Sequence, residues 1–183
     1  MIQVIGTPIK DLLIIEPRIF ADHRGYFMET YNAPEFKEKG IPYDFVQDNQ
    51  SKSSRGVLRG LHYQIHYPQA KLVRVLEGEV FDVAVDLRAN SATYGQWYGT
   101  ILSGENKKMF MIPRGFAHGF VVLSEEAVFA YKCDDVYHPN DEGGLLWNDP
   151  DLGIEWPFDG EPVLAEKDKS YPLFRDSRIS FDL

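Results

Sequence analysis

Gly56-Val57-Leu58-Arg59-Gly60-Leu61-His62-Tyr63-Gln64, followed by Lys71 through Gly78 and then Pro113-Arg114-Gly115-Phe116-Ala117-His118, is the stretch whose reading decides the fold. As Gly-x5-His-x-Gln, Lys-x6-Gly and Pro-x-Gly-x2-His, it has the spacing of a metal-binding β-barrel signature in which two of four ligands are replaced. A three-histidine, one-glutamate set would hold a divalent cation, whereas here one histidine position reads Gln64 and the glutamate position reads Lys71. Metal ligands present lone pairs, and an ammonium beside two imidazoles repels a cation. The expectation is a pocket with no metal and no cofactor, in which His62, His118 and Lys71 move protons and hold anions.

Outward from this stretch the chain reads as short alternating segments between turns. Strands are expected at Tyr43 to Gln50, Val57 to Gln64, Lys71 to Leu76, Glu79 to Leu87, Gln96 to Leu102, Lys108 to Ile112, Gly119 to Leu123 and Val128 to Cys133. Glu77-Gly78 reads as a hairpin turn. One short N-terminal helix is expected over Ala33 to Lys39, with Asn32 as cap, Glu35 in the capping-box position and Gly40 as stop. Many short strands with two half-motifs predict an all-β jelly-roll barrel as a single domain over residues 1–183. After Asp134 the pattern dissolves into an irregular C-terminal tail, rich in Pro, Gly and Asp, that is expected to wrap the barrel through Trp147, Trp156 and Phe158.

Pleat geometry places residues two apart on one face. Gln47 and Asn49 therefore point together, as do His62 and Gln64, and Tyr131 and Cys133, while Lys71 shares a face with Val73 and Val75. Inward polar groups without partners cost about 1–3 kcal/mol each, so a bound polar ligand is expected to complete them. Strict alternation sends Arg59 away from His62 unless Gly60 allows a bulge.

Composition narrows the classes of function. The chain has 183 residues, 44% hydrophobic and 26% charged, which suits one globular domain. Its apolar runs fall far short of the roughly 20 residues of a membrane helix, and no signal-peptide pattern opens it. The lone Cys133 forms no intrachain disulfide, so the cytoplasm is the expected compartment. A net charge of -9 argues against nucleic-acid and acidic-membrane partners, and any anionic ligand needs a local basic cluster.

Taken singly, many of these residues have plainer readings. Lys71 by its own flanks is equally a surface lysine, Tyr131 a core tyrosine and Cys133 inert packing. Asp168, within Glu166-Lys167-Asp168-Lys169, reads as part of a solvated charge run. His23, His66 and His138 read as surface, and Trp97, Trp147 and Trp156 as core or tail anchors.

The segments Phe20-Ala21-Asp22-His23-Arg24-Gly25-Tyr26-Phe27, Gln47-Asp48-Asn49, Gly56 to Gln64, Pro113 to Phe120 and Trp147-Asn148-Asp149-Pro150 resemble the dTDP-4-dehydrorhamnose 3,5-epimerases, in order along nearly the whole chain. The resemblance implies a metal-independent, cupin-like jelly roll in dTDP-rhamnose biosynthesis. The substrate would be the nucleotide sugar dTDP-4-dehydro-6-deoxy-D-glucose, inverted at carbons 3 and 5. It further implies His62 as base, Asp168 as its carboxylate partner, Tyr131 as the acid on the opposite sugar face and Lys71 as stabiliser of the enolate oxygen. Arg24, Glu29, Gln47, Asn49, Arg59, His118, Glu142 and Lys167 would contact the nucleotide sugar, and Tyr137 would stack on thymine. A homodimer is implied too, with the neighbour's N-terminal region completing each site. Asp134 and Val136 depart from the family's frame around Tyr137. Alternatives are a single-site epimerase or ketoisomerase on a related dTDP-keto-sugar, a metal-dependent cupin enzyme, which Lys71 disfavours, and a noncatalytic binder of nucleotide sugars.

Overall fold

The computed structural model describes residues 1–183. Its strands are β1 (Ile2–Gly6), β2 (Leu13–Pro17), β3 (Phe20–Asp22), β4 (Gly25–Phe27), β5 (Gln47–Ser54), β6 (Leu58–Gln64), β7 (Lys71–Glu77), β8 (Glu79–Asp86), β9 (Trp97–Ser103), β10 (Met109–Ile112), β11 (Phe116–Val122), β12 (Glu126–Cys133) and β13 (Glu142–Gly144). A six-stranded sheet runs β1-β2-β10-β7-β12-β5, a five-stranded sheet runs β13-β6-β11-β8-β9, and β3 and β4 form a separate hairpin. The paired strands are antiparallel throughout, giving the expected jelly-roll sandwich.

Alternation decides what lies between the sheets. Val73, Val75, Phe110 and Phe129 of the six-stranded sheet meet Val80, Ala84, Leu102, Phe120 and Val122 of the five-stranded one in the central core. The opposite faces are covered as well. Leu72, Met109 and Met111 pack outward against Ile2, Phe36 and Ile41, while Val83, Val85 and Leu87 pack against Leu145, Leu152 and Phe181 of the C-terminal segment. Burial on both faces explains why β8 and β10 read as nearly continuous apolar runs. The tail does wrap the barrel, as expected, and it is less irregular than expected. It carries β13, a 3-10 turn over Glu166–Lys169 and the short helix α2 over Phe174–Ser177, which follows α1 over Ala33–Glu38.

Several local expectations are corrected. Glu77-Gly78 is not a hairpin turn, because β7 and β8 belong to different sheets; Gly78, with φ +78°, turns the corner of the sandwich beside the Glu126 and Ala127 backbone. The strand expected at Tyr43 to Gln50 lies at Gln47–Ser54, where one face borders a cavity and so carries amides and hydroxyls in place of aliphatics. Tyr43 and Phe45 pack instead against the outer core. In α1 the Asn32 side chain accepts from the Glu35 N–H at 3.3 Å, as a cap should. Glu35 closes no capping box, since its carboxylate accepts from the Ile2 N–H at 2.8 Å and pairs with the N-terminal amine. The short strands β1 to β4 were not legible as strands.

Candidate active site

A cavity of about 620 Å³ lies between the sheets, lined from β5, β6, β7, β11 and β12 and closed on one side by Val163 to Asp168 of the tail. A bulge in β6 shapes one wall. His118 pairs with His62 and Phe120 with Arg59, so Gly60 and Leu61 together oppose Gly119 alone. The extra residue cancels one step of alternation, and Arg59 and His62 both reach the cavity. Gly60 has φ +137°, and a Cβ there would come within 2.6 Å of Gly119 Cα.

On this wall His62 Nε2 lies 2.7 Å from Asp168 Oδ1. Asp168 is 1% exposed, and its second oxygen accepts from the Gly60 N–H at 3.3 Å. It is buried, not part of a solvated charge run. A carboxylate that accepts from Nε2–H leaves the lone pair of the imidazole on Nδ1. His118 is held in the same manner, with Nε2 3.0 Å from both oxygens of the fully buried Asp82. Burial raises the Asp82 pKa, against the lowering influence of His118 and Lys71. Asp82 was missed as a site residue, although a carboxylate embedded in the apolar run Val80 to Val85 was its signal.

The facing sheet supplies Lys71 and Tyr131. Neither the Lys71 ammonium nor the Tyr131 hydroxyl has a hydrogen-bond partner in the protein, and Lys71 Nζ lies 6.0 Å from the Tyr131 ring centroid. Burial lowers the Lys71 pKa, opposed by the negative forms of Cys133, Asp82 and Glu142. The Tyr131 phenol is pushed up to about 12, chiefly by burial, so it stays protonated near neutrality. Cys133, pushed up to about 11 by burial, accepts weakly from Asn49 Nδ2 at 3.8 Å and is packing, as expected.

At the rim, Glu142 accepts from the Tyr137 hydroxyl at 3.1 Å and from Lys167 Nζ at 2.5 Å. Burial opposes its ionisation, yet Lys167, His62 and Tyr137 hold its pKa below the ordinary glutamate value. Gln47 donates to Asn49 Oδ1 and accepts from the Tyr137 N–H at 2.9 Å. Arg59 donates to Ser53 Oγ at 3.1 Å. Gln64 lies outside this cavity, buried below it. His66 is exposed beside Asp141, as expected, whereas His138 is half-buried and stacks on Tyr67.

The family model described as dTDP-4-dehydrorhamnose 3,5-epimerase matches residues 6–176. The chain belongs to the dTDP-4-dehydrorhamnose 3,5-epimerase family. The family member from Salmonella typhimurium (strain LT2) is 56% identical over 182 residues, covering 98% of this chain and 100% of its own. The crystal structure of the 3,5-epimerase from Elizabethkingia anophelis NUHP1 is similar at TM-score 0.92 and 57% identity, over 96% of this chain and 97% of that one. That of the dTDP-6-deoxy-D-glucose-3,5-epimerase from Legionella pneumophila Philadelphia 1, in complex with dTDP-4-keto-L-rhamnose, is similar at TM-score 0.96 and 51% identity over 100% of both chains.

Two residues that the 3,5-epimerase resemblance assigned to the substrate stand apart from the cavity. Arg24, with its side chain 79% exposed, pairs with Asp22 at the tip of the β3–β4 hairpin. Glu29 accepts from Asn32 Nδ2 at 3.0 Å. The hairpin also exposes Phe20, Tyr26 and Phe27.

Proposed function

We propose that the cavity epimerises dTDP-4-dehydro-6-deoxy-D-glucose at carbons 3 and 5, giving dTDP-4-dehydro-L-rhamnose for dTDP-rhamnose biosynthesis. The observation that carries this reading is that an imidazole with a carboxylate partner, His62, and a protonated phenol, Tyr131, enter one cavity from opposing sheets. Inversion needs that arrangement, because the proton leaves one face of the sugar and another arrives on the opposite face.

Both carbons adjoin the ketone at carbon 4, so the reaction needs only a base, an acid and a group that stabilises negative oxygen. His62 takes the hydrogen from carbon 3 or 5, and the C–H electron pair moves into the ring to leave the charge on the carbonyl oxygen. Asp168 stabilises the resulting imidazolium. The Lys71 ammonium lies where it can stabilise the enolate oxygen, and a developing anion restores the charged form that burial disfavours. Tyr131 then donates its proton from the other face, and solvent returns the proton from imidazolium to phenolate. The same cycle serves the second carbon.

Arg59 and Lys167 supply the local positive charge that a diphosphate needs on an acidic protein, with Tyr137 for the thymine and Gln47, Asn49, His118 and Glu142 for polar contacts. Arg24 and Glu29 require a second copy: in a homodimer the exposed β3–β4 arm would reach the neighbour's cavity. The protein would act in the cytoplasm, as one domain, and no helix is long and apolar enough to cross a membrane.

The test is incubation with the keto-sugar nucleotide in heavy water, followed by mass and NMR analysis. The wild type should incorporate deuterium at both carbons and yield the L-rhamno product; incorporation at one carbon alone would establish a single-site epimerase instead. His62→Ala should abolish exchange at both, and retained exchange would rule out its role as base. Tyr131→Phe should impair inversion more than initial proton loss, and equal loss of both would remove it as the acid.

A further inference from the structure

Gln64 stands where a metal-binding barrel would place a ligand, yet its side chain is buried and fully engaged with backbone. Its Nε2 donates to the Tyr67 carbonyl at 2.7 Å and the Val136 carbonyl at 3.3 Å, and its Oε1 accepts from the His138 N–H at 2.7 Å. Two carbonyls and one N–H fix which way the amide points. The partners belong to two loops, residues 65–70 between β6 and β7 and residues 134–141 between β12 and β13. Other contacts join the same loops. Gln69 donates to the Asp135 carbonyl at 2.8 Å, the His138 ring stacks on Tyr67 at 4.0 Å, and the Asp141 carboxylate accepts from the His66 and Tyr67 N–H groups.

Between the two residues that Gln64 grips on the second loop stands Tyr137. Its N–H is taken by Gln47 and its hydroxyl by Glu142, while the residue as a whole is 50% exposed at the cavity rim. Three successive residues, 136 to 138, are therefore held by two glutamine side chains, one at the cavity wall and one below it. Glutamine suits the lower position on hydrogen-bonding grounds. A glutamate there has no donor for two carbonyls, and a neutral histidine has only one donor and one acceptor.

We propose that Gln64 is a positioning residue for nucleotide binding, fixing the backbone of Val136 to His138 so that the Tyr137 ring is presented to the base before the ligand arrives. The inference rests on the reading of Tyr137 as the thymine-stacking residue. A ring already in its bound orientation binds without an ordering cost, so removing the tether should weaken nucleotide affinity more than turnover. The sugar end is anchored independently, through His62 with Asp168 and His118 with Asp82.

The experiment is a double-mutant cycle on dTDP affinity by titration calorimetry, with steady-state kinetics on the keto-sugar nucleotide. Tyr137→Ala and Gln64→Leu should each weaken dTDP binding, by about tenfold, and the double variant should be no weaker than Tyr137→Ala alone, as expected of residues acting through one group. KM should rise in Gln64→Leu while kcat falls by less. Unchanged dTDP affinity in Gln64→Leu, additive effects in the double variant, or a kcat loss as large as the KM rise would each overturn the positioning role while leaving Tyr137 in place. If Tyr137→Ala itself binds dTDP as the wild type does, the stacking reading falls, and this inference with it. Should Gln64→Leu fail to fold, Gln64→Glu enters the same cycle, since it keeps an acceptor for the His138 N–H and loses both donors.

Discussion

Partial withdrawal of the Lys71 ammonium from water disfavours its charged form, and the nearby acidic groups do not fully compensate, so its pKa falls below the usual lysine value. A lysine depressed in this way binds fewer protons folded than unfolded. Its penalty on folding is complete below the folded pKa and vanishes as pH rises to the unfolded value of about 10.4. Lys71→Met should therefore raise the melting temperature of the ligand-free protein at pH 7, each 1 kcal/mol being worth about 2–4 °C in a domain of this size. With Lys71 in its proposed role at the enolate oxygen, the same substitution should lower turnover by about 10²–10³, the usual cost of one lost oxyanion-stabilising group. Calorimetric melting at pH 7 and pH 10.5 checks the physical cause: the gain should shrink at the higher pH, and a gain of equal size at both would exclude desolvation of the ammonium.

The bulge in β6 is the element on which the cavity wall carrying Arg59 and His62 depends. Without the extra residue Arg59 and His62 would point to opposite faces, and one of them would leave the cavity. Gly60 makes the bulge possible through its positive φ and its close approach to Gly119. Gly60→Ala adds both a disfavoured backbone conformation and a steric overlap, with an expected loss of about 2–4 kcal/mol in urea denaturation. Its remaining folded fraction should also be poorly active, since Asp168 holds the Gly60 N–H together with His62. A stable and fully active Gly60→Ala would mean that the register of this strand does not set the geometry of His62, the proposed base.

At the scale of the whole molecule, the separation of Arg24 and Glu29 from the cavity gives the proposed homodimer a direct test. If the β3–β4 arm serves a neighbour's site, Arg24→Ala damages the partner's cavity whereas His62→Ala damages its own. Two such variants, each weakly active alone, should regain activity after joint refolding, up to about a quarter of wild type, because half of randomly formed dimers are mixed and one of their two sites is intact. Recovery is measured by the epimerase assay beside sedimentation of the mixture; no recovery in demonstrably mixed dimers would place Arg24 outside the neighbour's site. The sequence by itself determined what local periodicity and residue chemistry encode: the alternating strands from Val57 to Cys133, the cap of α1, the glutamine and lysine at two ligand positions of a metal-site signature, and the motifs that carry the family resemblance. It did not show β1 to β4 as strands, because three- to five-residue segments have too few alternations to read. The strand β5 was displaced for a related reason, since the polar side chains of Gln47–Ser54 answer to a cavity that exists only after the sheets have met. Only the tertiary structure decided that β7 and β8 part into different sheets and that Asp82 supports His118, and it turns the partnership of Asp168 with His62, which the family resemblance had implied, into a 2.7 Å contact across 106 residues of chain. Alternation is a property of neighbours along the chain, whereas the histidine–carboxylate hydrogen bond depends on long-range packing that brings a charged turn of the tail against the bulge of β6.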